Sequence, residues 1–336
     1  MVKIKKKKVV VIGGGTGTYT VLMGLKKYPQ LDLSVIVSMM DSGGSNRVIR
    51  DEFGLLPTSD IRQCVVALSE EKPDDLLRKL FTYRYSLGTG ITGMTFGNLF
   101  MAALTDIYGS QKKAIEKTCE FLDVVGEIIP VTFTNSHLVA RYSNGQQVLG
   151  EHLIDEPVQD DIGEYNIIEL ETVPEAKANT AALSALKNAD AVILGPGDLY
   201  TSIICNLVVK GISSAIRKSK AKVIYVMNLM SKYGETHKFK ASDYIYNLEK
   251  YIGKDRVSAC VVNKGQKFPQ GVLTRYRQER AYPVKDNLGR SSKKLKIIRR
   301  NVIAGKVYKK AKSDKLKRSL IRHDPTKLAR AITSII

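Results

Sequence analysis

An apolar run, Val9-Val10-Val11-Ile12, leads straight into Gly13-Gly14-Gly15-Thr16-Gly17, and a helical pattern follows from Tyr19 to Tyr28. Strand, glycine turn and helix in this order narrow the fold more than any other stretch. The arrangement presents backbone N–H groups and a helix N-terminus to an anion. Glycines let the chain turn sharply and let a phosphate approach with no Cβ in the way. A phosphate-bearing ligand is the expectation, with Gly14, Gly15, Thr16 and Gly17 around it. The spacing is a near miss for Gly-x-Gly-x-x-Gly, because the residue three beyond Gly15 is Thr18, and no Lys-Ser/Thr follows to make a P-loop. Glycine at such a turn also permits close packing alone.

The rest of the chain alternates strand and helix signals. Lys8–Ile12 and Leu33–Met40 are continuous apolar runs, as in a parallel sheet covered on both faces. Asp41 to Asp60 reads as a polar loop. A long helical region, 60–125, breaks at Ser86–Gly93 and near Gly109. Ile128–Phe133 and His137–Tyr142 are strand-like, with a turn at Ser143-Asn144-Gly145, which predicts a β-hairpin insertion over 127–153. Strand–helix alternation resumes with Asn166–Leu170, Glu175–Asn188, Ala189–Leu194, Leu199–Lys218, Lys222–Met227, Ala241–Ile252 and Val257–Val262. Asp324 and Pro325 open a last helix. The expected fold is α/β: one Rossmann-like, doubly wound, mainly parallel nucleotide-binding domain over 1–336, with the helical and hairpin insertions and a basic segment, 285–322.

A chain of 336 residues with 43% hydrophobic content can bury a large core. No apolar run approaches membrane-spanning length. The stretch behind the basic N-terminus is too short for a signal peptide, so a cytoplasmic protein is expected. Four dispersed cysteines and four histidines show no ligand spacing, and no residue is assigned to a metal. The net charge of +20 is local. Residues 1–8 carry five Lys, and 285–322 carry fifteen Lys and Arg against two acids. Two clusters read as solvated faces, a patch for an anionic partner or the rim of a phosphate site, rather than a nucleic-acid groove. Tyr308 is the one aromatic residue in 285–322, which weakens a single-strand stacking role.

Open parallel sheets bind ligands beyond the carboxyl ends of their strands. Those ends are polar and glycine-rich here. Asp41, Gly43, Gly44 and Ser45 follow the second strand; Asp41 could serve a ribose, a metal, a base role or a turn. Gly195, Gly197, Asp198, Thr201 and Ser202 follow Leu194 and repeat the strand–nest–helix geometry. Asn228 follows Met227. Asn98 opens a helix and is either a ligand contact or a cap. Ser59 or Asp60 could cap another helix, and Arg62 could reach a phosphate from its first turn.

These segments in this order resemble the YvcK/CofD-like family. The matching residues are Gly13–Gly17, Asp41–Ser45, Leu55–Arg62, Phe96–Phe100, Gly195–Ser202, Asn228–Met230, Gly234–Thr236, Ala241–Asp243 and Arg322–Pro325. The likeness spans nearly the whole chain and is closer to the gluconeogenesis-factor branch. That resemblance implies a regulatory protein that binds UDP-sugars such as UDP-N-acetylglucosamine and is linked to cell shape, cell-wall precursor control and gluconeogenic growth. It places Tyr276, stacked on uracil, and Arg322, on phosphate, at the UDP-sugar. A regulatory protein partner and a homo-oligomer are compatible with it. The other branch, a nucleotide-dependent 2-phospho-L-lactate transferase using a divalent metal such as Mg²⁺, is the alternative. Two residues depart from the family pattern: Ser42 stands where a second acid is usual, and Asn46 replaces a glycine. No catalytic residue stands out.

Overall fold

The computed structural model describes residues 5–70, 76–157, 161–265, 268, 270–305 and 319–336. The chain opens with β1 (Lys7–Ile12), α1 (Gly15–Leu25) and β2 (Leu31–Val37). A helical stretch follows: α2 (Gly44–Phe53), α3 (Ser59–Leu68), α4 (Leu76–Thr82), α5 (Phe96–Tyr108) and α6 (Gln111–Phe121). Then come β3 (Glu127–Pro130), β4 (His137–Tyr142), β5 (Gln147–Leu149), α7 (Glu151–Asp155) and β6 (Ile167–Val173). The second half holds α8 (Thr180–Asn188), β7 (Ala191–Leu194), a π-helical turn (Leu199–Ile204) running into α9 (Cys205–Leu207), and α10 (Ile212–Lys218). It ends with β8 (Lys222–Val226), α11 (Ala241–Ile252), β9 (Ala259–Asn263), α12 (Gln270–Gln278), β10 (Lys296–Arg300) and α13 (Pro325–Thr333).

Seven strands form one sheet in the order β10-β9-β8-β7-β1-β2-β3, every pair parallel. The apolar runs alternate between its two faces, as side chains on a strand must. Val10, Ile12, Val192, Leu194, Val223 and Tyr225 pack into one core; Val9, Val11, Ala191, Ile193, Ile224 and Val226 pack into the other. The first core includes residues of α8 to α11 and of the small sheet, and the second those of α1, α3 and α13. Both faces are thus covered, which explains strands without polar alternation.

The side on which successive strands are added to the sheet switches at β1. The chain runs outward through β2 and β3, returns to the other side of β1 as β7, and continues outward to β10. The crevice between the carboxyl ends of β1 and β7 is therefore the switch point where such folds take ligands. The two glycine bends meet there. The Gly195 amide donates to the Ile12 carbonyl at 3.0 Å, and a Cβ on Gly17 would lie 1.9 Å from the Pro196 carbonyl oxygen.

Several element expectations change. The stretch 41–60 is no simple loop: it contains α2, entered from Gly43 and stopped by left-handed Gly54. The only large apolar residues of α2 are Val48, Ile49 and Phe53, so it reads as polar from composition. Ile128 and Ile129 belong to β3 in the main sheet, so the antiparallel part begins at His137. β6 pairs antiparallel with β4 in a three-stranded sheet, and its burial alternates because one side faces solvent. The helix expected from Glu175 starts at Thr180, where the Asn179 side chain caps it. The helix expected over Leu199–Lys218 is interrupted at Gly211, whose φ is +105°. The basic segment supplies the edge strand β10; its residues 306–318 lie outside the described residues.

Candidate functional site

A cleft of about 620 Å³ opens at the switch point. Its lining includes Gly14, Gly15, Thr16, Gly17, Asp41, Gly43, Ser45, Gly197, Asp198, Thr201, Ser202, Asn228, Tyr276 and Arg322. Residues singled out from six separate segments of the sequence thus share one space. Gly44, Asn98 and Gly195 are not part of its wall. Asn98 is fully buried behind it, where its amide donates to Ser45 Oγ (3.2 Å) and Ser59 Oγ (3.1 Å) and its oxygen accepts from Arg62 Nε (3.2 Å). It organises the wall and makes no N-cap bond. Gly195 turns the chain at φ +71° against the Ile203 side chain.

The glycine nests are not simply empty cradles. Helix starts leave amides without intrahelical partners, and side-chain carboxylates fill some of them. The Gly15 amide donates to Asp60 Oδ1 at 2.8 Å. The Tyr200 and Thr201 amides donate to Glu235 Oε2 at 2.8 and 3.4 Å, and Thr201 Oγ1 donates to Glu235 Oε1 at 2.7 Å. Asp41 accepts from its own Gly43 amide (2.8 Å) and from Asn46 Nδ2 (2.5 Å). The nests bind carboxyl oxygens within the chain, and the same amides would serve a phosphate.

Both departures from the family pattern have structural work. Ser42 ties its loop to α7: its amide donates to Glu151 Oε2 (3.2 Å), and its hydroxyl accepts from the His152 amide (3.0 Å). Asn46 links Asp41 to α3, accepting from Ser59 Oγ at 2.8 Å.

An acidic group with one central cation forms the other end of the cleft. Lys232 Nζ bonds Asp155, Asp198 (2.9 Å) and, more distantly, Glu235 (3.8 Å). Burial pushes the carboxyls of Asp41, Glu151 and Asp198 up, and that of Glu235 up to about 8. Burial also pushes Asp155 up, but the neighbouring Lys232 outweighs it and holds Asp155 below its ordinary value. Burial alone would lower Lys232; its three acidic neighbours hold it well above the ordinary lysine range. Asp155, Asp198 and Glu235 each bring an oxygen within 4.8 Å of the others, a donor set of the kind Mg²⁺ takes. The Lys232 ammonium already stands among them where a metal ion would have to sit, so the group as arranged does not fit a resident metal.

Tyr276 and Arg322 come from α12 and the strand-like turn before α13. The Tyr276 hydroxyl accepts from the Leu320 and Ile321 amides at 2.9 and 3.2 Å, which fixes the ring. Arg322 Nε donates to the Ser319 carbonyl at 3.0 Å. Reading the sequence missed Glu151, His152, Asp155, Lys232 and His323 as cleft residues. Lys232 and Asp155 carry no local motif. Glu235 and His323 sit inside segments quoted for the family likeness, which was the available signal.

Comparison with known proteins fits this geometry. The family model of 2-phospho-L-lactate transferase CofD matches residues 9–305. The chain belongs to the CofD family. Within it, the chain is similar to proteins called gluconeogenesis factor: 38% identical to a putative one of Aquifex aeolicus over 99% of this chain and 98% of that one, and 32% identical to that of Bacillus subtilis over 99% of both. The crystal structure of a Bacillus halodurans protein of the UPF0052 family superposes with a TM-score of 0.85 at 32% identity, covering 98% of this chain and 99% of the other. Among the described residues, no helix is long and apolar enough to cross a membrane.

Proposed function

We propose that this CofD-family chain is a regulatory protein that binds a nucleotide-sugar, with UDP-N-acetylglucosamine as the type ligand. The observation that carries the reading is the meeting of the β1 and β7 glycine bends in one polar cleft at the switch point. A space of about 620 Å³ suits a ligand of nucleotide-sugar size. First-turn amides of Thr16 and Gly17 are donors for the pyrophosphate, with Arg322 as its counter-charge. Asp41, Ser45 and Glu151 line the polar side, where sugar hydroxyls find acceptors. Linkage to cell shape, cell-wall precursors and growth on gluconeogenic carbon follows from the relatives' name and the family likeness; a regulatory partner protein and a cytoplasmic place belong to the same reading.

Isothermal titration with UDP-N-acetylglucosamine tests it. Binding in the micromolar range is expected, and Arg322→Ala weakens it by roughly tenfold to a hundredfold, the loss of a charged contact of about 1.5–3 kcal/mol. Absence of heat with every UDP-sugar defeats the reading. The transferase alternative would need Mg²⁺ to displace the Lys232 ammonium from the Asp155, Asp198 and Glu235 oxygens. It requires Mg²⁺-dependent consumption of a nucleotide donor, measured by chromatography of the products.

A further inference from the structure

We propose that the end of the main sheet opposite the cleft is a docking face for an anionic lipid surface. The proposal uses no cleft residue and stands independently of the nucleotide-sugar reading.

All seven strands run the same way, so their starts lie together at the pole away from the cleft. Backbone bonds join these starts in a row. The Asp190 amide donates to the Lys8 carbonyl (2.8 Å), the Lys222 amide to the Asp190 carbonyl (3.0 Å), the Ser258 amide to the Val223 carbonyl (2.9 Å) and the Lys296 amide to the Ser258 carbonyl (2.9 Å). At ordinary strand spacing the row from β1 to β10 is roughly 19 Å wide. The fold thus joins the basic N-terminal stretch to 293–296, remote in sequence, and adds the charges between them. Residues 5–8, 187–190, 217–222, 254–256 and 293–296 carry fourteen Lys and Arg against two acids, Asp190 and Asp255.

Both acids are already answered. Lys7 Nζ lies 3.9 Å from Asp190, and Lys294 Nζ lies 2.7 Å from Asp255. Arg256 is used internally, donating to the Ile216, Ser219 and Ala221 carbonyls. Lys8, Lys220, Lys254 and Lys296 are exposed and form no ion pair among the described residues. Like charges gathered on one face repel one another and raise the local positive potential, which an anionic surface relieves. The starts of β2 and β3 fall outside this face, since Asp32 and Glu127 stand there.

The make-up of the face decides the partner. None of the exposed large apolar side chains belongs to these segments, whereas the core of a protein–protein interface is apolar. The segments contain no aromatic residue to stack a base. Twelve of the fourteen cations are Lys, which act as point charges and lack the fork with which Arg reads a base edge. A broad lysine field without an apolar anchor suits reversible, purely electrostatic attachment to lipid headgroups. Attachment by this pole leaves the cleft at the other pole open to its ligand.

The test is flotation of the full chain with vesicles. Wild type is expected to float with vesicles of equal parts phosphatidylcholine and phosphatidylglycerol at about 0.1 M salt, and to be released at about 1 M. It should stay behind with vesicles of phosphatidylcholine alone. Changing Lys8, Lys220, Lys254 and Lys296 together to Gln should weaken partitioning about fivefold per charge, roughly a hundredfold to a thousandfold in all. Changing Lys79, Lys112, Lys113 and Lys177 to Gln removes the same charge from other exposed sites and should preserve most of the binding. Both variants should melt with wild type, since each substituted side chain is exposed. Equal losses in the two variants would make net charge, not this face, the cause and overturn the proposal. So would flotation with neutral vesicles, or no flotation of wild type with anionic ones. Tighter binding of wild type to mixed-sequence duplex DNA, per phosphate at the same salt, would replace lipid with nucleic acid as the occupant.

Discussion

Gly17 and Asp60 show how single residues divide the work of the phosphate bend. A Cβ at Gly17 would stand 1.9 Å from the Pro196 carbonyl oxygen, so this glycine lets the β1 and β7 bends touch. Gly17→Ala is expected to destabilise the fold by about 1–3 kcal/mol, the usual range for overpacking, read as a lower midpoint in urea denaturation. Of the two uses of glycine foreseen in the sequence, close packing is the one realised at Gly17. Asp60 would compete with the proposed ligand instead: its carboxyl accepts from the Gly15 amide at 2.8 Å. Removing that charge while keeping the side-chain shape should favour a pyrophosphate. Asp60→Asn is expected to raise UDP-sugar affinity, by roughly tenfold or about 1.4 kcal/mol, with the gain shrinking as salt rises. A loss of affinity in titration would instead make Asp60 a positioning group for the Gly15 amide.

Among the elements, α13 shows a sequence signal that survived folding intact. Asp324 caps it by accepting from the Lys327 amide at 2.9 Å, and Pro325 begins it. α13 also closes over α1, where a Cβ on Gly24 would meet the Pro325 carbonyl oxygen at 2.1 Å. Asp324→Ala should cost about 1 kcal/mol, visible in thermal melting. Elements with a strong local code were legible: the parallel strands by their apolar runs, α13 by its cap. Those set by partners were not. β6 reads as a strand, but only pairing with β4 makes it antiparallel. β10 is an edge strand of Lys, Ile and Arg, and its pairing with β9, not its composition, places it in the sheet.

At the scale of the whole molecule, the buried carboxyls make stability depend on pH. Glu235 is raised to about 8, and Asp198, Glu151 and Asp41 are raised by burial. A group whose folded value is raised contributes stability below its unfolded value and loses it as pH climbs through the folded one. Asp155, held low by Lys232, acts in the opposite sense, and its contribution is lost as pH falls below its ordinary value. The melting temperature is therefore expected to fall as pH rises from about 4.5 to about 8. Glu235→Gln should flatten that slope by calorimetry, since the amide stays neutral throughout. An unchanged slope in the variant would remove Glu235 as its source.

The linear chain by itself determined the fold class and the glycine bends. Apolar runs of strand length, each followed by glycine and hydroxyl residues, satisfy few packings other than a covered parallel sheet. Local backbone chemistry is written residue by residue, so Gly14–Gly17 and Gly197–Ser202 could be picked out unaided. Tertiary structure alone decided what fills those bends. Asp60 and Glu235 reach their amides across 45 and 35 residues of chain, and Lys232 finds Asp155 across 77. Charges so distant in sequence acquire partners, raised or lowered acidities and a shared cleft only when folding buries them together, because Coulomb interactions and desolvation depend on distance in space and not along the chain.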